Sequence, residues 1–250
     1  MLIVATAGFA VNFWAWALLS PLGPLFRTNG TLGKISESDV ALLVAVPVIV
    51  GSLGRIPIGA LTDRFGGRVM FPLVSAATIV PVLFIGCFAL DSYAALLVGG
   101  FFLGLGGTTF AVGVPFVNAW FPPERRGFAV GIFGAGMGGT AISALTTVKL
   151  FNNVGNRAPF VITAVALAVY AVVAWTVLRD APGRKRAEGS FVGRLVANAR
   201  LPITWQACAL YAVAFGGYVA FSVYLPSYLK TAYSLGAGDA ANRMAGFVLV

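Results

Sequence analysis

The sequence predicts an all-α fold, a polytopic transmembrane helical bundle. Hydrophobic residues make up 59% of its 250 positions and charged residues only 10%, against roughly 25% charged in a soluble domain. Mean hydropathy is +0.90. Apolar runs recur to the last residue, and each is close to the length of about 20 residues that a spanning helix needs.

Those runs place helices at 2–26, 40–61, 69–90, 93–119, 127–149, 158–178 and 206–229, and an eighth opens near Met244 and is still running at Val250. A backbone that stops within the hydrocarbon leaves polar groups unsatisfied, so the sequence reads as a piece of a longer chain. No cleavable signal pattern stands apart from the spans.

In the first span, Phe9, Asn12, Phe13, Trp16 and Ser20 follow i, i+3, i+4, i+7, i+11 spacing and form one stripe. Aromatics at that spacing usually pack a helix. An amide at membrane depth needs a hydrogen-bond partner, however, and Asn12 turns the expectation toward a cavity lined by this stripe.

The second span carries Arg55, the one charged residue away from the ends of any predicted span. A charge at that depth costs roughly 2.5 kcal/mol or more and marks a substrate or ion pathway. Arg55 precedes Asp63 by eight residues, about 12 Å along a helix. Its stem can snorkel to the surface, but that depth exceeds an easy reach. The sharper reading is a bidentate guanidinium clamp for a planar oxyanion.

After the second span comes Gly59-Ala60-Leu61-Thr62-Asp63-Arg64-Phe65-Gly66-Gly67-Arg68. Its glycines allow a tight turn. Asp63 is expected to cap a helix, and Arg64 and Arg68 to bridge neighbours or bind headgroups. The fourth span holds the glycine-rich run 99–109 and the fifth holds 127–140. Gly127, Gly131, Ala135 and Gly139 recur every four positions and predict close backbone approach. Such density in the fifth span suggests a sliding helix or a backbone lining the pathway. Gly134 to Gly139 does not read as a phosphate loop, because no strand precedes it.

The stretch 179–205 is the longest polar one and opens with Ala181-Pro182-Gly183-Arg184-Lys185-Arg186. It divides the chain into a six-helix bundle over 1–178, a linker over 179–205 and the start of a second bundle over 206–250. Lying on anionic headgroups is a secondary role for its basic cluster. Counting basic residues by loop gives ten on the linker side and six on the other, with Arg55 between. The linker side is therefore expected to be cytoplasmic, and the N-terminus with it.

Several function classes fall away. A net charge of +9 suggests nucleic acid, but the charges lie in short loops between spans. Histidine is absent, and Cys87 and Cys208 sit in separate apolar helices, so neither imidazole chemistry nor a disulfide is expected. No nucleophile–base set, metal cluster or cofactor fingerprint appears, so neither an enzyme nor a cofactor is expected.

The G-x-x-x-D-R-x-G-x-R loop directly after the second span resembles the signature of the major facilitator superfamily. In that family the loop holds the two halves together, which implies a conformational latch at Gly59, Asp63, Arg64 and Arg68. Four further stretches look like its nitrate/nitrite porter family. They are the run from Phe9 to Trp16, Gly54-Arg55-Ile56-Pro57, the segment from Asn118 to Gly127, and the glycine block. The similarity runs the whole chain but covers only part of a full-length porter. It implies that Arg55 binds the anion, that a second arginine follows beyond Val250, and that Tyr211 matches the aromatic at the start of the seventh span. Tyr211 also suits an interfacial anchor. The family's fifth-span signature commonly has Asn where Gly136 is followed by Met137, which removes one donor from the anion.

The expectation is thus a secondary transporter of a small anion, nitrate or nitrite, in the plasma membrane, functioning as a monomer when full length. The anion meets Arg55 in a dry cavity walled by Phe13 and glycine backbone. No carboxylate lies inside a predicted span, which favours exchange or a proton arriving by another route. The alternative is a facilitator of a larger organic anion, against which the narrow aromatic cavity argues.

Overall fold

The computed structural model describes residues 1–29, 32, 35–184 and 190–249. Lys34, Lys185, Arg186 and Val250, which entered the charge count and the eighth span, lie outside the described residues. Among the described residues all regular structure is helical. Seven stretches are long and apolar enough to cross a membrane: Leu2–Arg27, Glu37–Phe65, Gly67–Ala89, Tyr93–Trp120, Pro123–Asn153, Ala158–Val177 and Pro202–Tyr233.

The first span is two helices, α1 (Leu2–Trp16) and α2 (Leu19–Asn29). Pro21 has no N–H to offer the Ala17 carbonyl, and Ser20 N takes its place at 3.2 Å, which tightens the chain there. The second span is one helix, α3 (Glu37–Phe65), longer at both ends than its apolar run. Ser36 starts it. The Ser36 hydroxyl accepts from Asp39 N at 3.1 Å and Ser36 N donates to the Asp39 carboxylate at 2.8 Å. That reciprocal box satisfies two otherwise orphaned amides.

The third span is α4 (Gly67–Phe84) followed by a wide turn at Ile85–Ala89. Both glycine-rich spans tighten in their middle. The fourth runs as α5 (Tyr93–Leu103), a 3₁₀ turn at Gly104–Thr108 and α6 (Thr109–Trp120). The fifth runs as α7 (Arg126–Gly134), a 3₁₀ turn at Ala135–Gly138 and α8 (Gly139–Asn153). Glycine gives a helix little reason to hold one winding, so a change of pitch is cheap there. The sixth span is α9 (Ala158–Val177).

α1 is the centre of the bundle. Ala5, Phe9, Phe13 and Ala15 on it are fully buried, and it packs against α6, α7, α8 and α9. The predicted stripe is therefore core. Phe9 stacks on Phe133 at 4.7 Å, and Phe13 sits between Phe9 at 4.3 Å and Trp16 at 4.9 Å.

The glycine ladder of the fifth span resolves differently from its spacing. Gly127, Gly131, Gly134 and Gly138 face open space. Gly136 and Gly139 are the ones pressed on α1, where a Cβ would meet Phe9 and the Ala10 carbonyl. Of the glycines in the predicted ladder, Gly139 makes the close contact and Gly127 and Gly131 do not, while Gly136 joins it from outside the ladder.

The linker region contains helix α10 (Phe191–Ala199), and the seventh span begins at Pro202 rather than 206, as α11 (Pro202–Tyr211), a wide turn at Ala212–Gly216 and α12 (Gly217–Tyr233). The eighth helix, α13 (Ala237–Leu249), starts seven residues before Met244. Its first turns are polar, with Arg243 paired to Asp239 at 3.1 Å, and this hid them from a hydropathy reading. α13 lays Ala241, Met244 and Ala245 on Ala141 and Ala144 of α8, an interface mostly of small residues.

The seventh span meets the first six at the end away from the linker. α11 has no buried residue, while α12 buries Val219, Ser222, Val223 and Pro226. The Ser20 hydroxyl donates to Val223 O and Lys230 Nζ donates to Pro24 O, both at 2.7 Å.

Candidate functional site

Close backbone contact positions Arg55. α3 lies directly on the turn at 104–108. A Cβ on Gly51 would come within 2.9 Å of Gly104 O, and one on Gly104 within 2.8 Å of Pro47 O. This approach, open only to glycine, brings the Gly107 carbonyl to the Arg55 side chain, whose Nε donates to it at 3.3 Å.

The rest of the guanidinium is met from the seventh span. Nη1 donates to the Tyr211 hydroxyl at 3.3 Å. The Phe215 ring lies 4.7 Å from the guanidinium carbon and the Phe110 ring 5.4 Å from it. Tyr211 and Phe215 stack at 4.8 Å, nearly parallel at 11°. Each cation–π contact contributes on the order of 0.5–2 kcal/mol, depending on how dry the site is. Nη2 finds no acceptor among the described residues, and no carboxylate among them pairs with Arg55. Its cage is built of neutral groups, which take water from the cation without cancelling its charge.

Of the residues singled out for binding, Tyr211 alone joins Arg55. Asn12 has its own partner: fully buried, its Nδ2 donates to the Ser75 hydroxyl and to Gly8 O, both at 2.8 Å. The amide that seemed to need a cavity ties α1 to α4 instead. Phe13 is likewise core and does not wall Arg55. Gly136 packs on Phe9 and half-buried Met137 packs against the main core. Three residues of the cage went unnamed in the sequence. Phe215 is one helical turn from Tyr211 and so shares its face. Phe110 and the Gly107 carbonyl carry no sequence signal that separates them from their neighbours.

The loop after the second span also differs from expectation. Asp63 does not cap a helix. It lies in the last turn of α3, and the residue before α4 is Gly66. The cap arrives from the far side of the sixth span: Asp180 Oδ1 accepts from Arg68 N at 3.1 Å. Beside it, Arg184 Nη2 donates to Asp63 O at 2.7 Å and Thr62 O at 3.2 Å, closing the carboxyl end of α3. Arg184 and Asp180 are themselves 3.5 Å apart. One short segment thus serves the acceptor end of one helix and the donor end of the next. Gly66 has φ +90°, and a Cβ there would overlap the Asp180 carboxylate. Arg64 bridges no helices among the described residues and lies over the ring of its neighbour Phe65 at 5.5 Å. Gly59 is an ordinary helical residue whose nearest outside atom would be 4.0 Å away.

These features define a multi-pass membrane bundle with, among the described residues, a single mid-span cation where its first part meets its seventh span. The description of the Major Facilitator Superfamily matches residues 5–250, and the chain belongs to that superfamily. It is 50% identical over 249 residues to the "Probable nitrate/nitrite transporter NarK2" of Mycobacterium tuberculosis, covering 99% of this chain and 62% of that protein. It is 35% identical over 250 residues to the "Nitrite extrusion protein" of Bacillus subtilis, covering 100% of this chain and 61% of that one. The chain thus spans about three fifths of the length of the relatives it matches. Among solved structures, a bacterial homolog of the human lysosomal transporter Spinster, inward-facing and unoccupied, superposes with a TM-score of 0.72 at 20% identity. That match covers 99% of this chain and 58% of that one, and it speaks to the fold alone.

Proposed function

We propose that this chain is the larger part of a secondary transporter that moves nitrate or nitrite across the plasma membrane by alternating access. The observation that carries the reading is the cage around Arg55: a cation in a predicted span, held by a carbonyl, a phenol and two ring faces, with no fixed acid among the described residues. A small planar oxyanion suits the guanidinium fork and completes the charge balance. The names of the two relatives, at 50% and 35% identity, point to the same solutes.

In this reading residues 1–178 form one half and residues from 206 onward begin the other, with 179–205 between them on the cytoplasmic side, where the N-terminus also lies. The anion reaches Arg55 from the linker side, where α11 stands clear. It then bridges α3 and the 104–108 turn to Tyr211 and Phe215. Binding neutralises Arg55, and the two halves then rock about the occupied site. The contacts of Asp180 and Arg184 with the turn at Gly66 form the latch of the first half. The transporter works as a monomer.

The test is uptake of labelled nitrate by the full-length protein in proteoliposomes. Arg55→Ala should abolish it, with excess nitrite competing in the wild type. Normal uptake by Arg55→Ala would sink the clamp. Competition by bulky carboxylates instead of nitrite would shift the substrate to a larger organic anion.

A further inference from the structure

α10 sits in the linker, just before the seventh span, and one side of it is apolar. In helical register Phe191, Val192, Leu195, Val196 and Ala199 share that side, spaced i, i+1, i+4, i+5 and i+8. They are not covered: Phe191 is 39% exposed, Val192 62%, Leu195 43% and Val196 45%. α10 packs chiefly on α11, to which it is joined by a short turn. The indole of Trp205, at the start of the seventh span, donates to Ala199 O at 2.8 Å, and the Thr204 hydroxyl donates to Asn198 O at the same distance. These bonds fix the end of α10 against the first turn of a spanning helix. Trp205 is itself exposed, with Leu201 and Ile203 beside it, so the uncovered apolar surface runs unbroken from α10 onto the span.

Charge supplies the second half of the argument. The stretch 179–205 holds six basic residues against two acidic ones. On the helical wheel Arg194 and Arg200 fall on opposite flanks of the apolar side, the arrangement of a helix lying in a bilayer surface. A tryptophan at the junction is the residue type that settles at headgroup level.

We propose that α10 is a surface anchor whose apolar side dips into the headgroup boundary of a bilayer containing anionic lipid, with the flanking Arg194 and Arg200 toward the lipid phosphates. Nine residues alone bind a membrane feebly. α10 needs no more, because the seventh span already holds it at the surface and its effective concentration there is high. The anchor sets the level at which the linker leaves the membrane between the two parts of the chain. A second copy, or another part of a longer chain, is the competing occupant of this face.

The test uses full-length protein with Cys87 and Cys208 replaced by serine, both being exposed and free. A nitroxide is attached at Val192→Cys, on the apolar side of α10, or at Ala197→Cys, on the side away from it. The protein is then reconstituted in phosphatidylcholine with or without phosphatidylglycerol. With anionic lipid present, the label at 192 should be relaxed several-fold more by oxygen than by a water-soluble nickel chelate, and the label at 197 the reverse. Arg194→Gln with Arg200→Gln should shrink that contrast to its value in phosphatidylcholine alone. Equal access of nickel to both labels would overturn the proposal. So would shielding of 192 from both reagents, which a protein occupant produces, or a contrast indifferent to lipid charge.

Discussion

Two glycines of the same ten-residue loop should respond in opposite ways to alanine. At Gly66 the backbone has φ +90° and ψ 159°, and a Cβ would overlap the Asp180 carboxylate. That backbone region is essentially closed to side chains and costs about 1–3 kcal/mol. Displacing Asp180 removes the cap on Arg68 N, about 1 kcal/mol. It also disturbs Arg184, whose two bonds to the end of α3 are partly solvent-screened, for on the order of 1 kcal/mol more. The total is about 3–5 kcal/mol, or roughly 6–20 °C in Tm at about 2–4 °C per kcal/mol. At Gly59, where the nearest outside atom is 4.0 Å away, alanine gains up to about 1 kcal/mol of helix propensity. The assay is heating of the full-length protein in detergent, followed by fluorescence-detected size exclusion. Gly66→Ala should melt well below the wild type and Gly59→Ala at or above it. Adding Asp180→Ala to Gly66→Ala should cost less than the sum of the two, because the overlap is then gone. Equal melting of Gly66→Ala and wild type, or strict additivity, would refute the reasoning.

Two further outcomes separate the site from its scaffold. Arg55→Lys keeps the charge, but one ammonium cannot hold Gly107 O and the Tyr211 hydroxyl and still offer a fork. Loss of one charge-assisted bond of about 1.5–3 kcal/mol should raise the KM for nitrate by about 10- to 150-fold in the uptake assay. Ser75→Ala removes one of the two acceptors of the buried Asn12 amide, the one on α4, and should cost about 0.6–1.7 kcal/mol in the same melting assay. It should leave the nitrate KM unchanged, because Asn12 serves the α1–α4 contact.

Membrane crossing was legible because hydropathy acts over whole segments. All seven spans appear where the apolar runs put them, with ends shifted by up to about four residues, at Ser36 by a capping box and at Pro123 and Pro202 without a side-chain cap. Arg55 stood out because its isolation is a one-dimensional fact. What the sequence withheld is direction. Asn12 was correctly judged to need a partner, but its rotation about α1 sends it to Ser75, 63 residues away. Asp63 has the residue type of a cap and sits near a helix start, yet Asp180 fills the role because the end of the sixth span folds back onto the turn. Glycine spacing in the fifth span showed that a close contact exists and not which face makes it. Hydrogen-bond need can be read locally, whereas the group that satisfies it is chosen by packing.

Why the cage around Arg55 is neutral follows from the same physics. A fixed carboxylate would offset the cost of the buried cation, and removing either partner of such a pair costs about 3–5 kcal/mol. An anion from outside would then have to displace an internal one. A carbonyl, a phenol and two ring faces act otherwise. They hold the guanidinium in place and exclude water, while the net charge stays available. Gly107 and Phe110 belong to the fourth span and Tyr211 and Phe215 to the seventh. Both sets of contacts are weak enough, 3.3 Å hydrogen bonds and ring faces at 4.7 and 5.4 Å, to be exchanged for a ligand. On the proposed reading the anion is what makes the closed arrangement electrically tolerable. The coupling of binding to movement then needs no titrating acid at the site: an empty cationic cage resists closure and a filled one does not.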